Sequence, residues 1–168
     1  MDEVTAASCV EFAVKVEEMG AELYKNLSQK FCADRELAEL FAGLGRDEVQ
    51  HRELFRALHD RALSRPTERK IPVELAQHVR STSMSDVFSG LRGLHHSADS
   101  IKSRDDALER AFKFEKATLG FFQSMQEVFE GDQVLASLVA MEKSHVAKVM
   151  ELMVTGAKFR GLGDRFST

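Results

Sequence analysis

The sequence predicts an all-α fold built from four long helices. Its 168 residues include two prolines, one tyrosine and no tryptophan, which is an unfavourable composition for a β-protein. Leu, Ala, Glu, Lys and Arg dominate instead, and these residues form helices readily. In four separate stretches apolar residues also recur at spacings of three and four, the periodicity of one helix face. A chain of this length can bury a core as one domain, and we expect that domain to cover about residues 1–160.

The first helix is predicted over about residues 6–31. Its apolar face comprises residues spaced by three, four or seven: Val10, Val14, Ala21, Tyr24, Leu27 and Phe31. A second apolar row widens that face: Phe12, Val16, Met19 and Leu23. Glu17 falls on the same face, three residues after Val14 and four before Ala21, so the sequence predicts a carboxylate on the buried side.

The second helix is predicted over about 35–63, with Asp34 as its N-cap. Its apolar row advances in regular steps of four and three: Leu37, Phe41, Leu44, Glu48, His51, Phe55, Leu58 and Ala62. The two polar members, Glu48 and His51, lie in the middle of the row and point from one face at adjacent turns. Pro66 and Pro72 predict the end of this helix.

Residues 66–102 form the least regular part of the chain and are predicted to be a long crossover. A short amphipathic helix is expected there over about 86–94, capped by Ser83 or Ser85. Basic residues become denser between 61 and 80, but no aromatic residues interleave them. This pattern favours a solvated connection over a nucleic-acid surface.

The second half of the chain predicts two more helices, over about 103–130 and 133–155. A Ser103/Asp106 capping box begins the first of them, and Asp132 is the expected N-cap of the other. Their inner rows are Leu108, Phe112, Glu115, Leu119, Phe122, Gln126 and Phe129 in one, and Leu135, Leu138, Glu142, His145, Val149 and Leu152 in the other. Three glycines after residue 155 predict the helix end, and 161–168 a flexible tail.

The two halves of the chain carry the same set of polar residues on their inner rows. Each supplies a lone inward glutamate and a Glu-x-x-His pair, and the set is Glu17, Glu48, His51, Glu115, Glu142 and His145. One such pair could arise by chance, but two in equivalent places indicate a shared site. Four ionised carboxylates in a core would be very costly unless neutralised, and two divalent ions bring four positive charges. The alternative is a bundle whose charged residues are solvated and whose inner rows are misphased.

The six residues resemble the di-iron carboxylate site of ferritin-like proteins, in which two helices give a Glu each and two give a Glu-x-x-His each. The amino-acid sequences of residues 16–24 and 114–122 are similar to those of the rubrerythrin family. The resemblance covers about residues 10–155. It implies a ferritin-like four-helix bundle of two helical hairpins that holds two Fe ions, with Mn or Zn substitution possible. By the same resemblance Glu48 and Glu142 bridge the ions, while Glu17 and Glu115 are terminal ligands. Glu18 is the alternative to Glu17.

The resemblance also implies an activity. A non-haem di-iron oxidoreductase of rubrerythrin-like type would reduce O₂ or H₂O₂ with electrons from an external donor. Ferroxidase chemistry, with Fe²⁺ as substrate for storage or delivery, is the alternative, and a structural metal-binding bundle is a second one. The family also implies a homodimer. Tyr24 would lie near the centre, either as a donor of a hydrogen bond or an electron or as a packed core residue.

Two departures from the family pattern argue against a self-sufficient rubrerythrin peroxidase. Peroxide-reducing members have a further glutamate one turn after the third-helix ligand, where this chain has Thr118. They also commonly carry a rubredoxin-like domain with paired CxxC motifs, which this sequence lacks.

Other features predict an ordinary protein interior and surface. Cys9 and Cys32 are expected to be buried free thiols. The four histidines outside the two pairs are expected at the surface: His59, His78, His95 and His96. There is no apolar run long enough to span a membrane and no visible secretory signal, so a cytoplasmic location is the expectation.

Overall fold

The computed structural model describes residues 5–64, 71, 73, 77 and 101–163. Four helices occupy these ranges: α1 (Ala6–Lys30), α2 (Arg35–Ser64), α3 (Arg104–Val128) and α4 (Gln133–Gly163). No strand is present among the residues described. The all-α prediction is therefore confirmed, and the expected Pro66 and Pro72 stops, the 86–94 helix and His78, His95 and His96 lie outside these ranges.

The helices pair as two hairpins that pack against each other. The most extensive contacts join α1 to α2 and α3 to α4, and smaller contacts join α1 to α3 and α2 to α4. This arrangement is the predicted four-helix bundle. Because each helix carries its apolar row on one side, packing the two hairpins face to face buries all four rows.

Side-chain caps begin the helices where the sequence predicts them. Asp34 Oδ1 accepts a hydrogen bond from the Leu37 amide at 3.1 Å, and Ser103 and Asp106 form a reciprocal capping box. Asp132 Oδ1 accepts from the amide of Val134 at 2.9 Å. Such caps satisfy amides that have no partner inside the helix.

The fourth helix does not end where the sequence predicts. It continues from residue 155 to Gly163, through Gly156 and Gly161. A glycine inside a helix costs only about 1 kcal/mol relative to alanine, so isolated glycines weaken a long helix without ending it. Of the predicted tail, residues 164–168 lie outside the described residues.

On α2 and α4 the described members of the predicted rows are buried except Leu152, which is half-buried. The buried faces of α1 and α3 also include small residues that hydrophobicity alone did not select. Val14 and Ala21 on α1 are only half-buried, as are Phe112, Leu119 and Gln126 on α3. The buried positions include Ala13, Gly20, Ala111 and Thr118 instead. Small side chains allow the neighbouring helices to approach closely.

One cysteine differs from its predicted environment. Cys9 is buried in α1 as expected, but Cys32 is exposed, because it lies in the turn after α1 and not on a helix face. None of the described helices is long and apolar enough to cross a membrane.

Candidate metal centre

All six predicted metal ligands are buried, and the structure brings them together in the middle of the bundle. Each has an exposed fraction of 1% or less: Glu17, Glu48, His51, Glu115, Glu142 and His145. One glutamate comes from α1 and one from α3, and α2 and α4 each contribute a Glu-x-x-His pair. Glu18, the alternative to Glu17, is exposed and pairs with Arg56 at 2.9 Å.

The central carboxylates each present one oxygen to each histidine. Glu48 places Oε2 3.6 Å from His51 Nδ1 and Oε1 3.6 Å from His145 Nδ1. Glu142 places Oε1 2.7 Å from His51 Nδ1 and Oε2 3.8 Å from His145 Nδ1. The histidine rings face one another with centroids 5.2 Å apart and planes at 19°. Each central carboxylate therefore has one oxygen on either side of the centre.

The lone glutamates complete two separate groups of donors. Glu17 Oε2 lies 3.7 Å from His51 Nδ1, and Glu115 Oε2 lies 3.5 Å from His145 Nδ1. The centre therefore has a Glu17–His51 half and a Glu115–His145 half, which share Glu48 and Glu142.

Ten buried side-chain nitrogen and oxygen atoms in the described part of the chain have no hydrogen-bond partner, and every one belongs to these six residues. An unpaired buried polar atom costs about 1–3 kcal/mol, and more if charged. So many unpaired polar atoms in one place would strongly destabilise a core that had only a structural role. The same atoms are oxygen and imidazole donors, which suit divalent iron, manganese or zinc.

The electrostatics of the cluster follow from burial and mutual repulsion. Burial, reinforced by the charge of Glu48, holds the pKa of Glu17 well above its usual range. Burial likewise raises the pKa of Glu115 to about 8. Burial would also raise the pKa of Glu48, but its contacts with Glu17 and the two histidines lower it to about 2. In the metal-free protein, therefore, protons supply positive charge that metal ions could replace.

Two further residues support the Glu115–His145 half. The Tyr24 hydroxyl donates a short hydrogen bond to Glu115 Oε1, so Tyr24 contacts a predicted ligand directly. Asp47 Oδ2 lies 3.2 Å from His145 Nε2 and 3.3 Å from Lys148 Nζ. The sequence analysis did not identify Asp47 or Lys148, and no local pattern could have done so, because the contacts join α2 to α4.

Two small residues occupy equivalent positions in the two hairpins, each three residues after the lone glutamate. Thr118 is buried, and its hydroxyl donates to the Phe114 carbonyl at 3.1 Å. On α1 the corresponding residue is Gly20, where an added Cβ would lie 3.2 Å from Glu48 Cδ. The centre thus fits closely against α1.

Comparison with known proteins supports this reading of the fold and the site. The model of the rubrerythrin family matches residues 9–85. Over these residues the chain is similar to the rubrerythrin family. The predicted resemblance is thereby confirmed over the segment that carries Glu17, Glu48 and His51. No curated protein and no solved structure gave a match.

The second hairpin lies beyond the matched segment, so its part in the site rests on geometry. One ligand atom from each of Glu48, His51, Glu142 and His145 lies within 4.8 Å of the others. These four residues form a buried group able to hold a metal ion, drawn equally from the two hairpins.

Proposed function

We propose that this chain is a non-haem di-iron protein of rubrerythrin-like type that reduces O₂ or H₂O₂ with electrons from an external donor. The observation that carries the proposal is the set of ten unpartnered atoms, all on the six residues of the metal centre. Four carboxylates and two neutral imidazoles balance the charge of two divalent ions. When bound, the iron pair supplies the electrons that enter the O–O bond.

The protein's own residues then have distinct tasks. Glu48 and Glu142 would bridge the two ions, because each already presents one oxygen to each half. Glu17 and Glu115 would be terminal ligands, as would His51 and His145 through Nδ1. The surrounding apolar core excludes water, which strengthens every charge interaction inside.

An external donor is part of the proposal, because the two cysteines of this sequence form no CxxC pair of the kind that holds a rubredoxin-like iron site. Ferrous oxidation for storage or delivery is the second candidate. Thr118 favours it, because this residue stands where peroxide-reducing relatives have a further glutamate.

Metal analysis is the first test. Anaerobic loading with Fe²⁺ followed by removal of free metal should leave two ions per chain, and Glu142→Gln should lose at least one. Glu109→Gln is the matched control, because Glu109 is exposed on α3 and pairs only at 2.6 Å with Lys113 along the same helix. Fewer than one ion per chain in the unmodified protein would reject the di-iron proposal and favour a structural bundle.

Stopped-flow oxidation separates the two candidate reactions. The loaded protein is mixed with O₂ or with H₂O₂, and iron oxidation is followed by absorbance. We expect two irons oxidised per chain in a single turnover, with further turnover only after a reductant is added. Continued uptake and oxidation of many irons per chain would instead support ferroxidase chemistry.

A further inference from the structure

The two halves of the metal centre have different surroundings, although the hairpins supply matching ligands. Aligning Glu17 with Glu115 places Tyr24 opposite Phe122, since each lies seven residues later. Aligning Glu48 with Glu142 places Asp47 opposite Met141, since each lies one residue earlier. The hairpins therefore repeat the ligands but not their polar neighbours.

Both polar neighbours act on the same half. Tyr24 donates to Glu115 Oε1, which leaves Glu115 Oε2 directed at His145 Nδ1 at 3.5 Å. Asp47 lies 3.2 Å from His145 Nε2, which leaves Nδ1 facing the carboxylates. When Nδ1 binds a metal, Nε2 carries the proton and donates it to Asp47. Each ligand of this half is thus held with one specific donor atom toward the centre.

Among the described residues, no group from outside the cluster supports the Glu17–His51 half in this way. Both oxygens of Glu17 and both ring nitrogens of His51 are buried without a well-oriented hydrogen bond, and the close contact of His51 Nδ1, at 2.7 Å, is with Glu142 Oε1 inside the cluster. Phe122, the counterpart of Tyr24, has no hydroxyl and packs against Phe55 with ring centroids 4.7 Å apart. Met141, the counterpart of Asp47, has no carboxylate to orient a histidine.

Hydrogen-bond partners behind a ligand fix its orientation and raise its affinity for metal. Losing such a partner typically lowers metal affinity by about 10–100-fold. A carboxylate or imidazole that is already oriented also loses less conformational freedom on binding. Two supported ligands in one half and none in the other should therefore produce a measurable difference between the two sites.

We propose that the two metal positions are unequal: the Glu115–His145 half binds the first ion tightly, and the Glu17–His51 half binds the second more weakly. Asp47 and Tyr24 are the positioning residues that create the difference. The inference rests on the proposed two-metal function. Glu17, whose carboxylate contacts only other members of the cluster among the described residues, is the ligand able to change its position as the second ion enters or leaves.

A Co²⁺ titration of the metal-free chain tests the inequality, read by calorimetry and by the visible absorption of bound Co²⁺. We expect two resolved binding phases of one ion each, with dissociation constants that differ at least about tenfold. Crystals grown with one equivalent of Co²⁺ should show anomalous density beside Glu115 and His145. Density shared equally between the halves would overturn the inference.

Substitutions then identify the phase that each residue supports. Asp47→Asn and Tyr24→Phe should each weaken the tight phase by about 10–100-fold and leave the weak phase unchanged. Asp60→Asn is the control, because it removes the same charge from an exposed position on the same helix. Equal weakening of both phases, or of neither, would contradict the assignment to one half.

The outcomes separate this inference from the proposed function. Two ions bound with equal affinity would reject the inequality but preserve the two-metal centre. Fewer than one ion per chain would reject both. If Asp47→Asn does not fold, the one-equivalent crystal of the unmodified protein still decides between equal and unequal halves.

Discussion

The Nδ1 atom of His51 lies 2.7 Å from Oε1 of Glu142, between helices that belong to different hairpins. Both residues are completely or almost completely buried. Burial alone would lower the pKa of His51, but the carboxylates of Glu142, Glu17 and Glu48 around its ring raise that pKa to about 12. In the metal-free protein His51 is therefore protonated at neutral pH.

This contact predicts that metal loading releases protons. Three groups of the centre hold protons at pH 7 because their pKa values are raised to about 12, about 10 and about 8: His51, His145 and Glu115. Burial and the charge of Glu48 raise the pKa of Glu17 as well. Metal ligands must be deprotonated to bind, so we expect about three protons or more to be released per chain. Affinity for the metal should accordingly fall as the pH is lowered from 8 to 6.

Calorimetry in two buffers with different ionisation enthalpies measures the released protons. His59→Gln is the control, because His59 lies outside the cluster and beside Asp60. The His59→Gln variant should release the same number of protons as the unmodified chain. Loading without proton release would mean that the two histidines are neutral before metal binds.

The sequence was sufficient to predict the six clustered residues because each hairpin carries its polar residues on a regular apolar row. On α2 and α4 the row has a large residue at nearly every step, so Glu48, His51, Glu142 and His145 stand out against it. On α1 and α3 the row includes Gly20 and Thr118, whose small size reflects close helix contacts. Hydrophobicity alone could not place such residues inside.

The contacts behind the ligands could not be predicted in the same way. The Asp47–His145 and Tyr24–Glu115 pairs each join one hairpin to the other. Their existence depends on how α2 sits beside α4 and α1 beside α3, which no local spacing encodes. The sequence therefore predicts a symmetric centre, and only the packing of the hairpins reveals its asymmetry.

The metal-free protein should lose stability as the pH rises above neutrality. Burial would lower the pKa of His145, but Glu115 and Glu48 raise it to about 10, so its stabilising contribution is complete below about pH 6.5 and disappears as the pH approaches 10. The raised pKa of Glu115, about 8, acts in the same direction from about pH 4.5 upward. Glu48, with a lowered pKa of about 2, loses its contribution as the pH falls from 4.5. Because the contribution of Glu115 already declines above about pH 4.5, maximum stability is expected near pH 4.5.

Urea unfolding of the metal-free chain at pH 6, 8 and 9.5 measures this dependence. The midpoint should fall at each step, and Glu115→Gln should reduce the fall between pH 6 and 8. Glu109→Gln, a substitution at an exposed position, should leave the pH dependence of the urea midpoint unchanged. A midpoint that rises with pH would show that the histidines are not protonated in the folded protein.

Arg104 links the beginning of α3 to the turn between α1 and α2. Its guanidinium lies 2.6 Å from Asp34 Oδ2 and also contacts Glu36. Because Arg104 stands at a helix N-terminus, where a positive charge is unfavourable, its acidic partners must more than offset that cost. We expect Arg104→Gln to lower the free energy of unfolding by about 1 kcal/mol.

Lys113→Gln provides the comparison for Arg104. Lys113 pairs only with Glu109 along one exposed helix face, so its loss should cost at most about 0.5 kcal/mol. Chemical denaturation at low and high salt measures both variants. Equal effects of the two substitutions would mean that the link between the hairpins adds nothing beyond an ordinary surface pair.

At Gly20 the backbone of α1 lies close to Glu48 of the metal centre. A Cβ added there would lie 3.0 Å from Cε1 and Cζ of Phe114 and 3.2 Å from Cδ of Glu48. Alanine should favour the helix by about 1 kcal/mol, but forcing the Phe114 ring and Glu48 aside should cost about 1–3 kcal/mol. We therefore expect Gly20→Ala to be neutral or destabilising and to weaken metal binding, because Glu48 serves both halves.

Gly120→Ala separates the helix effect from the crowding effect. Gly120 lies inside α3, is exposed, and has no atom within 4 Å of an added Cβ. This substitution should raise the free energy of unfolding by about 0.5–1 kcal/mol and leave the metal affinity unchanged. Denaturation with and without Co²⁺ compares the two variants. If Gly20→Ala stabilised the chain as much as Gly120→Ala and still bound two ions, the close approach of Glu48 to α1 would have no role in forming the centre.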